Sequence, residues 1–185
     1  ELRVSWPVAE PLPPNAARDV AEAHRAMADG LERYLDMRMP AAAVRLRLAR
    51  DRYLDHLDTL GSADSYVRAA LYLAMSLHAG GDRARARAAL RQLLTRLPEE
   101  DLPLLEFPPE LTDLVEAVRA QIRTDAGLRV RSTPSGALVL INGRYRGRTP
   151  LAVHDLPMGP HALRVESPGH KAFTATIELT SPETL

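Results

Sequence analysis

Six histidines, His24, His56, His78, His154, His161 and His170, are the side chains best suited to proton transfer or metal binding in this 185-residue chain. Their spacing supports neither. No His-Glu-x-x-His pair puts two imidazoles on one helical face, and no carboxylate–histidine cluster has metal-ligand spacing. A Gly-x-Ser-x-Gly nucleophile elbow and a phosphate-cradling glycine loop are both missing. Cysteine is absent, which removes thiolate nucleophiles, disulfides and cysteine-ligated zinc together. His161 follows a glycine turn at the start of an expected strand and reads as structural, while His154, Asp155 and His170 read as exposed loop residues. The sequence therefore predicts no catalytic, cofactor-binding or metal-ligating residue. The expected activity is binding rather than enzymatic.

Composition narrows what is bound. Twenty-four basic and 24 acidic residues balance, which argues against a general nucleic-acid or anionic-membrane binder. Aromatic residues make up only 4%, too few for a platform that stacks single-stranded bases. No apolar run approaches the roughly 18 residues that span a bilayer. Lys171 is the sole lysine among many arginines, a bias of the kind high-GC bacterial genomes impose. The chain starts at Glu1 rather than Met and reads as trimmed or processed, with room for an export signal or lipid anchor in the part ahead of it.

The elements that carry these residues divide in two. Residues 1–14 hold four prolines and the only tryptophan, Trp6, and read as an extended arm. Two readings of the arm stand side by side: Trp6 pinned on the helical surface, or a docking peptide for a partner. A helical domain is expected over 15–125. Asn15 is placed as the N-cap of a first helix whose apolar positions are Ala16, Val20, Ala23, Met27, Leu31, Tyr34 and Leu35. Pro40 interrupts it, and a second helix over about 41–60 carries Val44, Leu48, Leu54 and Leu57. Residues 67–98 give the best-formed pair, with Gly80-Gly81-Asp82 between two helices and small Ala74 and Ala86 where they approach. A further helix after Phe107-Pro108-Pro109-Glu110 has a clean stripe of Leu111, Leu114, Val115, Val118 and Ile122.

Beyond the short junction Asp125-Ala126-Gly127 the period changes. Over residues 128–179 short apolar runs recur about every eight to twelve residues, separated by Pro-, Gly- and Asn-containing turns, as in a small all-β sandwich. The charge also splits: 17 basic and 20 acidic residues lie through Asp125 and 7 and 4 follow it, giving −3 against +3. That difference permits packing of the two parts without requiring it.

Two family resemblances follow from these residues. Pro134-Ser135-Gly136-Ala137, Ile141-Asn142-Gly143, Gly147-Arg148-Thr149-Pro150-Leu151, Gly159-Pro160-His161 and Gly169-His170 closely resemble the signature of the PEGA family. Ser135 replaces the family's Glu and His170 its Tyr, and neither disturbs the frame of glycines and prolines. Residues 67–98 resemble a tetratricopeptide hairpin, in which Ala70, Leu73, Ala74, Leu77, Ala86, Leu90, Leu93 and Pro98 take the pattern positions. The expected fold class is thus α+β in two domains: tetratricopeptide-like helical hairpins over 15–125, then a PEGA β-sandwich over 127–180 with a tail over 181–185.

The resemblances imply a non-catalytic scaffold or adaptor of a bacterial cell-envelope assembly, of secretion, pilus, motility or surface-structure type. They place it in the periplasm or at the outer membrane with other envelope proteins as partners. Two alternatives are a carbohydrate- or peptidoglycan-binding module and an accessory segment of a longer signalling protein. The turn residues Pro134, Gly136, Asn142, Gly143, Gly147, Thr149, Pro150, Gly159 and Gly169 are expected to be structural. The candidate partner surface has two parts. Arg129 and Arg131 alternate with Leu128 and Val130, so they leave the core face, and Arg144, Arg146 and Arg148 follow on the next hairpin. These arginines are read either as a solvated face or as a surface for an acidic partner. Ala137, Val139 and Ile141 are assigned to the core, which sends Leu138 and Leu140 outward, with Tyr145 opposite Leu140 across the Asn142-Gly143 turn. That apolar outer face is expected to meet a partner or the helical domain, or to be covered by neighbouring loops or the arm.

Overall fold

A computed structural model describes residues 12–60, 62–98 and 102–180. Among them are six α-helices, α1 (Pro14–Leu35), α2 (Met39–Asp55), α3 (Leu57–Leu60), α4 (Asp64–Ala79), α5 (Arg83–Arg96) and α6 (Pro109–Arg119), with a 3-10 turn at Leu104–Glu106. Six strands follow: β1 (Ala126–Val130), β2 (Leu138–Ile141), β3 (Arg144–Arg148), β4 (Leu151–Leu156), β5 (Gly159–Glu166) and β6 (Phe173–Leu179). The fold is α+β, helices first and antiparallel strands second. Trp6 and the rest of 1–11, Gly61, and the tail 181–185 lie outside the described residues.

The helices pack in succession, α1 on α2, α2 on α4, α4 on α5 and α5 on α6. Two helix starts differ from expectation. Proline supplies the opening in both, because its fixed φ suits the first turn and its missing N–H has no partner there. Helix α1 begins at Pro14, and Pro13 rather than Asn15 occupies the N-cap position, without a side-chain cap. Pro40 lies inside the first turn of α2 instead of ahead of it; the break is at Met37, whose φ is 58°. A second break at His56 splits the expected second helix into α2 and α3.

Small residues set the helix contacts. In α1 the buried stripe is Ala16, Val20, Ala23, Ala26 and Gly30, while Leu35 is 78% exposed. A β-carbon at Gly30 would stand 2.7 Å from Leu46 Cγ, so the helix crossing there has no room for a larger residue. In α2 the buried positions are Met39, Ala42, Ala43, Leu46, Ala49 and Tyr53, and Val44 faces solvent. The stripe of α6 is as read: Leu111, Leu114, Val115 and Val118 are buried and Ile122 packs against the same core. Asp82 caps α5 by accepting a hydrogen bond from Arg85 N at 3.1 Å. The rings of Tyr34, Tyr72 and Phe107 form a chain, 5.4 Å and 4.7 Å between centroids, that ties α1, α4 and the segment before α6 together.

The strands form two antiparallel sheets, ordered β1-β4 and β3-β2-β5-β6. Leu128, Val130, Val139, Ile141, Leu156 and Leu163 fill the space between them. Asn142 and Gly143 turn β2 into β3 with φ of 52° and 74°, the left-handed values a two-residue hairpin turn requires. Leu140 pairs with Tyr145 across that turn, past a bulge between Val139 and Leu140. Among the turns, Pro134–Ala137 and Gly147–Pro150 are strapped together. Gly136 N donates to Thr149 O at 2.8 Å, Thr149 N donates to Ala137 O at 2.9 Å, and Ala137 N donates to Thr149 Oγ1 at 3.1 Å.

Thr149 is 4% exposed and Ala137 1%. Thr149→Val keeps the shape but leaves the Ala137 N–H without an acceptor away from water. The variant is expected to lose about 1–3 kcal/mol of stability, read as a lowered Tm; an unchanged Tm would mean that the hydroxyl is dispensable.

Candidate interaction surface

The hairpin at Asn142-Gly143 is driven into the helical domain. Its first residue is buried, and the side-chain amide of that residue bonds in three directions. Asn142 Nδ2 donates to Arg96 O at 2.7 Å and to His161 Nδ1 at 2.8 Å, while Oδ1 accepts from Ala162 N at 2.8 Å. The carbonyl of Arg96 ends α5, where helical carbonyls have no partner within the helix. Asn142 therefore serves as a cap supplied from the other domain. Arg96 reciprocates, since its Nη1 donates to Pro160 O at 3.0 Å. On the other flank Arg144 Nη1 meets Asp64 Oδ1 at 2.9 Å. Ser62 Oγ and then Arg144 hold the Asp64 carboxyl below its usual range. Gly143 sits so close to the segment before α4 that an added β-carbon would stand 2.9 Å from Ala63 N and Ser62 C.

His161 completes this junction and is fully buried. Its Nε2 lies 2.8 Å from Pro157 O, an atom that only accepts, so the ring proton is on Nε2 and Nδ1 accepts from Asn142. Burial lowers its pKa, the Pro157 carbonyl works in the opposite direction, and Arg96, Glu178 and Arg146 add smaller effects. A folded-state pKa below the unfolded value near 6.5 makes protonation favour the unfolded chain. The stability His161 contributes is present above about pH 6.5 and is lost as pH falls toward the folded pKa. Tm measured from pH 7 to pH 5 is expected to fall, with a slope equivalent to at most about 1.4 kcal/mol per pH unit from this group. His161→Gln should flatten that slope; an identical slope in the variant would place the titrating group elsewhere.

The residues assigned to a partner surface are distributed over three places. Arg129, on the outer face of β1, and Arg131, just beyond its end, are exposed, and neither side chain makes a hydrogen bond or ion pair among the described residues. The three hairpin arginines diverge. Arg144 is drawn to the helical domain, Arg146 is half-buried, and Arg148 turns back to donate to Gly136 O at 2.8 Å. Leu138 and Leu140 are half-buried on the outer face of the four-stranded sheet, flanked on β5 by Glu166 and Arg164. Those two side chains pair at 2.5 Å. Tyr145 beside Leu140 is 61% exposed. The helical domain meets this sheet where α3 and α5 approach β5, α3 approaches β6, and Ala162 packs on the helical core.

The glycines at the remaining turns take positive φ, 118° at Gly159 and 75° at Gly169, and Pro134 and Pro150 follow cis peptide bonds. His154 and Asp155 are exposed but lie within β4, and His170 is an exposed turn residue. Sequence reading did not find Arg96, Asp64 or the Ser62-Ala63 backbone. Asn142 could be assigned to a hairpin from its neighbours, but nothing local to it marks a carbonyl 46 residues away as its partner.

At the junction a groove of about 480 Å³ opens between α5, the segment after α6 and the turn before β5. Arg91 bonds Gln121 and Arg123 pairs with Asp125 along its wall. Among the described residues no group of three or more His, Cys, Asp or Glu side chains is placed to hold a metal ion. No helix there is long and apolar enough to cross a membrane.

Compared with known proteins, residues 126–185 match the family model of the PEGA domain. No curated protein and no solved structure matches the chain. The match covers both sheets and the interlocked Pro-Ser-Gly-Ala and Gly-Arg-Thr-Pro turns, so residues 126–185 are a PEGA domain, carried behind a helical domain.

Proposed function

We propose that this chain is a non-catalytic adaptor of a bacterial cell-envelope assembly, with the PEGA domain held at a set orientation by a tetratricopeptide-like helical domain. The observation that carries the reading is the buried Asn142, which joins the two domains through Arg96, His161 and Ala162. A junction of this kind spends polar groups on relative orientation, and it leaves the far surfaces of both domains open. The serial packing of α1, α2, α4 and α5 supports the tetratricopeptide-like description, since each unit buries its apolar face on the next. Periplasmic or outer-membrane placement is supported by the PEGA resemblance and by the absence of cysteine.

The glycan-binding alternative is less well supported. A sugar platform needs exposed rings on a common face, and the sandwich exposes two, Tyr145 and Phe173. Tyr145 shares the outer face with Leu140, whereas Phe173 pairs with Val165 on the opposite, core-facing side of the same sheet.

Photo-cross-linking in the native cell, with the reactive residue at Arg131, Tyr145 or Val44 in separate strains, tests the adaptor reading. A defined envelope protein captured from one of these surfaces is the expected result. Recovery of the chain in the cytoplasm, with no protein captured from any surface, would contradict it.

A further inference from the structure

The two sheets of the sandwich do not match in width. Gly147 on β3 faces Leu151 on β4, whose Cδ1 would lie 3.0 Å from a β-carbon added at the glycine, so β4 covers β3. The other strand of the short sheet, β1, then covers β2 and β5, whose core-facing Val139, Ile141 and Leu163 are buried. Of β6, the short sheet covers only the C-terminal end, where Leu179 is buried in the sandwich core with Ala126, Leu128 and Leu156. The register places Phe173, Ala175 and Ile177 of β6 on the same face as Val165, Leu163 and His161 of β5. Burial fades along that face: Ile177 touches the sandwich core, Ala175 is half-buried outside it, and Phe173 is 58% exposed.

Beside this uncovered face runs the open edge of β1. Among the described residues nothing pairs with the backbone groups of β1 that point away from β4. Sheets manage such edges because they are templates for another strand. One more strand at the usual spacing of about 4.8 Å from β1 would lie over β6 and close the sandwich. Its outward side chains would stand beside Arg129 and Arg131, next to exposed Ala152 and His154 on β4, a surface with no carboxylate opposite the two arginines.

We propose that the open edge of β1 is a docking slot for an extended segment of a partner protein that adds as a third strand to the β4-β1 sheet. Its inward side chains are apolar and rest on Phe173, Ala175 and Ile177; its outward side chains are Asp or Glu and face Arg129 and Arg131. Main-chain bonds give such a site its affinity and alternate side chains its specificity. The charge pattern argues against a second copy, because pairing two β1 edges would bring like-charged arginines together. It also argues against the chain's own first residues, where Arg3 and Ser5 would take the outward positions if Leu2, Val4 and Trp6 turned inward. The proposal rests on the adaptor reading and names its contact.

The test titrates the full chain with a capped seven-residue peptide alternating valine with glutamate, followed by backbone amide NMR. Saturable binding is expected, with the shifted amides confined to β1 and β6. A peptide with lysine for glutamate should bind at least tenfold more weakly, and Arg129→Glu with Arg131→Glu should invert that preference. N-methylation of the peptide along one edge should abolish binding, a control that leaves the protein untouched. No saturation, indifference to peptide charge, or shifts elsewhere would overturn the slot. So would binding that emerges only after residues 1–11 are removed, which would assign the edge to the arm, or self-association through β1. A chain that fails here but still cross-links to an envelope protein from another surface loses the slot and keeps the adaptor function.

Discussion

Asn142→Ala is expected to be the most damaging single truncation in the β-sandwich. It leaves the Arg96 carbonyl, the Ala162 N–H and His161 Nδ1 without partners in a buried junction. It also places alanine at a φ of 52°, a left-handed conformation that asparagine tolerates better than alanine does. At about 1–3 kcal/mol for each orphaned group, the loss should reach roughly 3 kcal/mol or more, a large share of ordinary domain stability. Denaturant unfolding of the full chain measures it, and a loss below about 1 kcal/mol would show that water replaces the bridge freely. Asn142→Asp gives a second reading of the same site. It keeps the acceptor for Ala162 but turns a carboxylate oxygen toward Arg96 O and His161 Nδ1. That variant should be unstable at neutral pH and recover as the pH falls and His161 takes a proton, the reverse of the wild-type trend.

Gly143→Ala is expected to follow in size, for a different reason. Gly136 and Gly143 have similar left-handed φ, 87° and 74°, so alanine carries a similar conformational penalty at both. The space around them differs completely. Nothing lies within 4 Å of a β-carbon at Gly136, whereas one at Gly143 meets backbone atoms of Ser62 and Ala63 at 2.9 Å. Gly136→Ala should therefore cost about 1 kcal/mol, and Gly143→Ala clearly more, because the hairpin must withdraw from the helical domain. Equal losses in the two variants would mean that the domains do not press together at this turn.

Much of the sandwich was legible because its turns need particular residues. Asn142-Gly143, Gly136 and Gly159 announce positive φ, and alternation then assigns Val139 and Ile141 to the core and Arg129 and Arg131 to solvent. The helices were legible in type but less so in face. Large apolar residues mislead where helices cross closely: Ala26 and Gly30 are buried while Leu35 and Val44 are not. Hydrophobic periodicity weighs size, and a close crossing selects against it. The junction was the least legible part, since Asn142 and Arg96 are joined by three-dimensional proximity alone. The arginines of β3 show the same limit. Their alternation was readable, but their separate destinations at Asp64 and at Gly136 depend on how the hairpin sits in the fold.

Held by Asn142, Arg96 and Arg144, the helical domain and the PEGA domain are expected to act as one body, so that a partner meets a surface of set geometry. Residual dipolar couplings of the backbone amides in the full chain test it most directly. A single alignment tensor fitting both α1–α6 and β1–β6 is the predicted result. Two tensors of different magnitude or orientation, one for each domain, would contradict it.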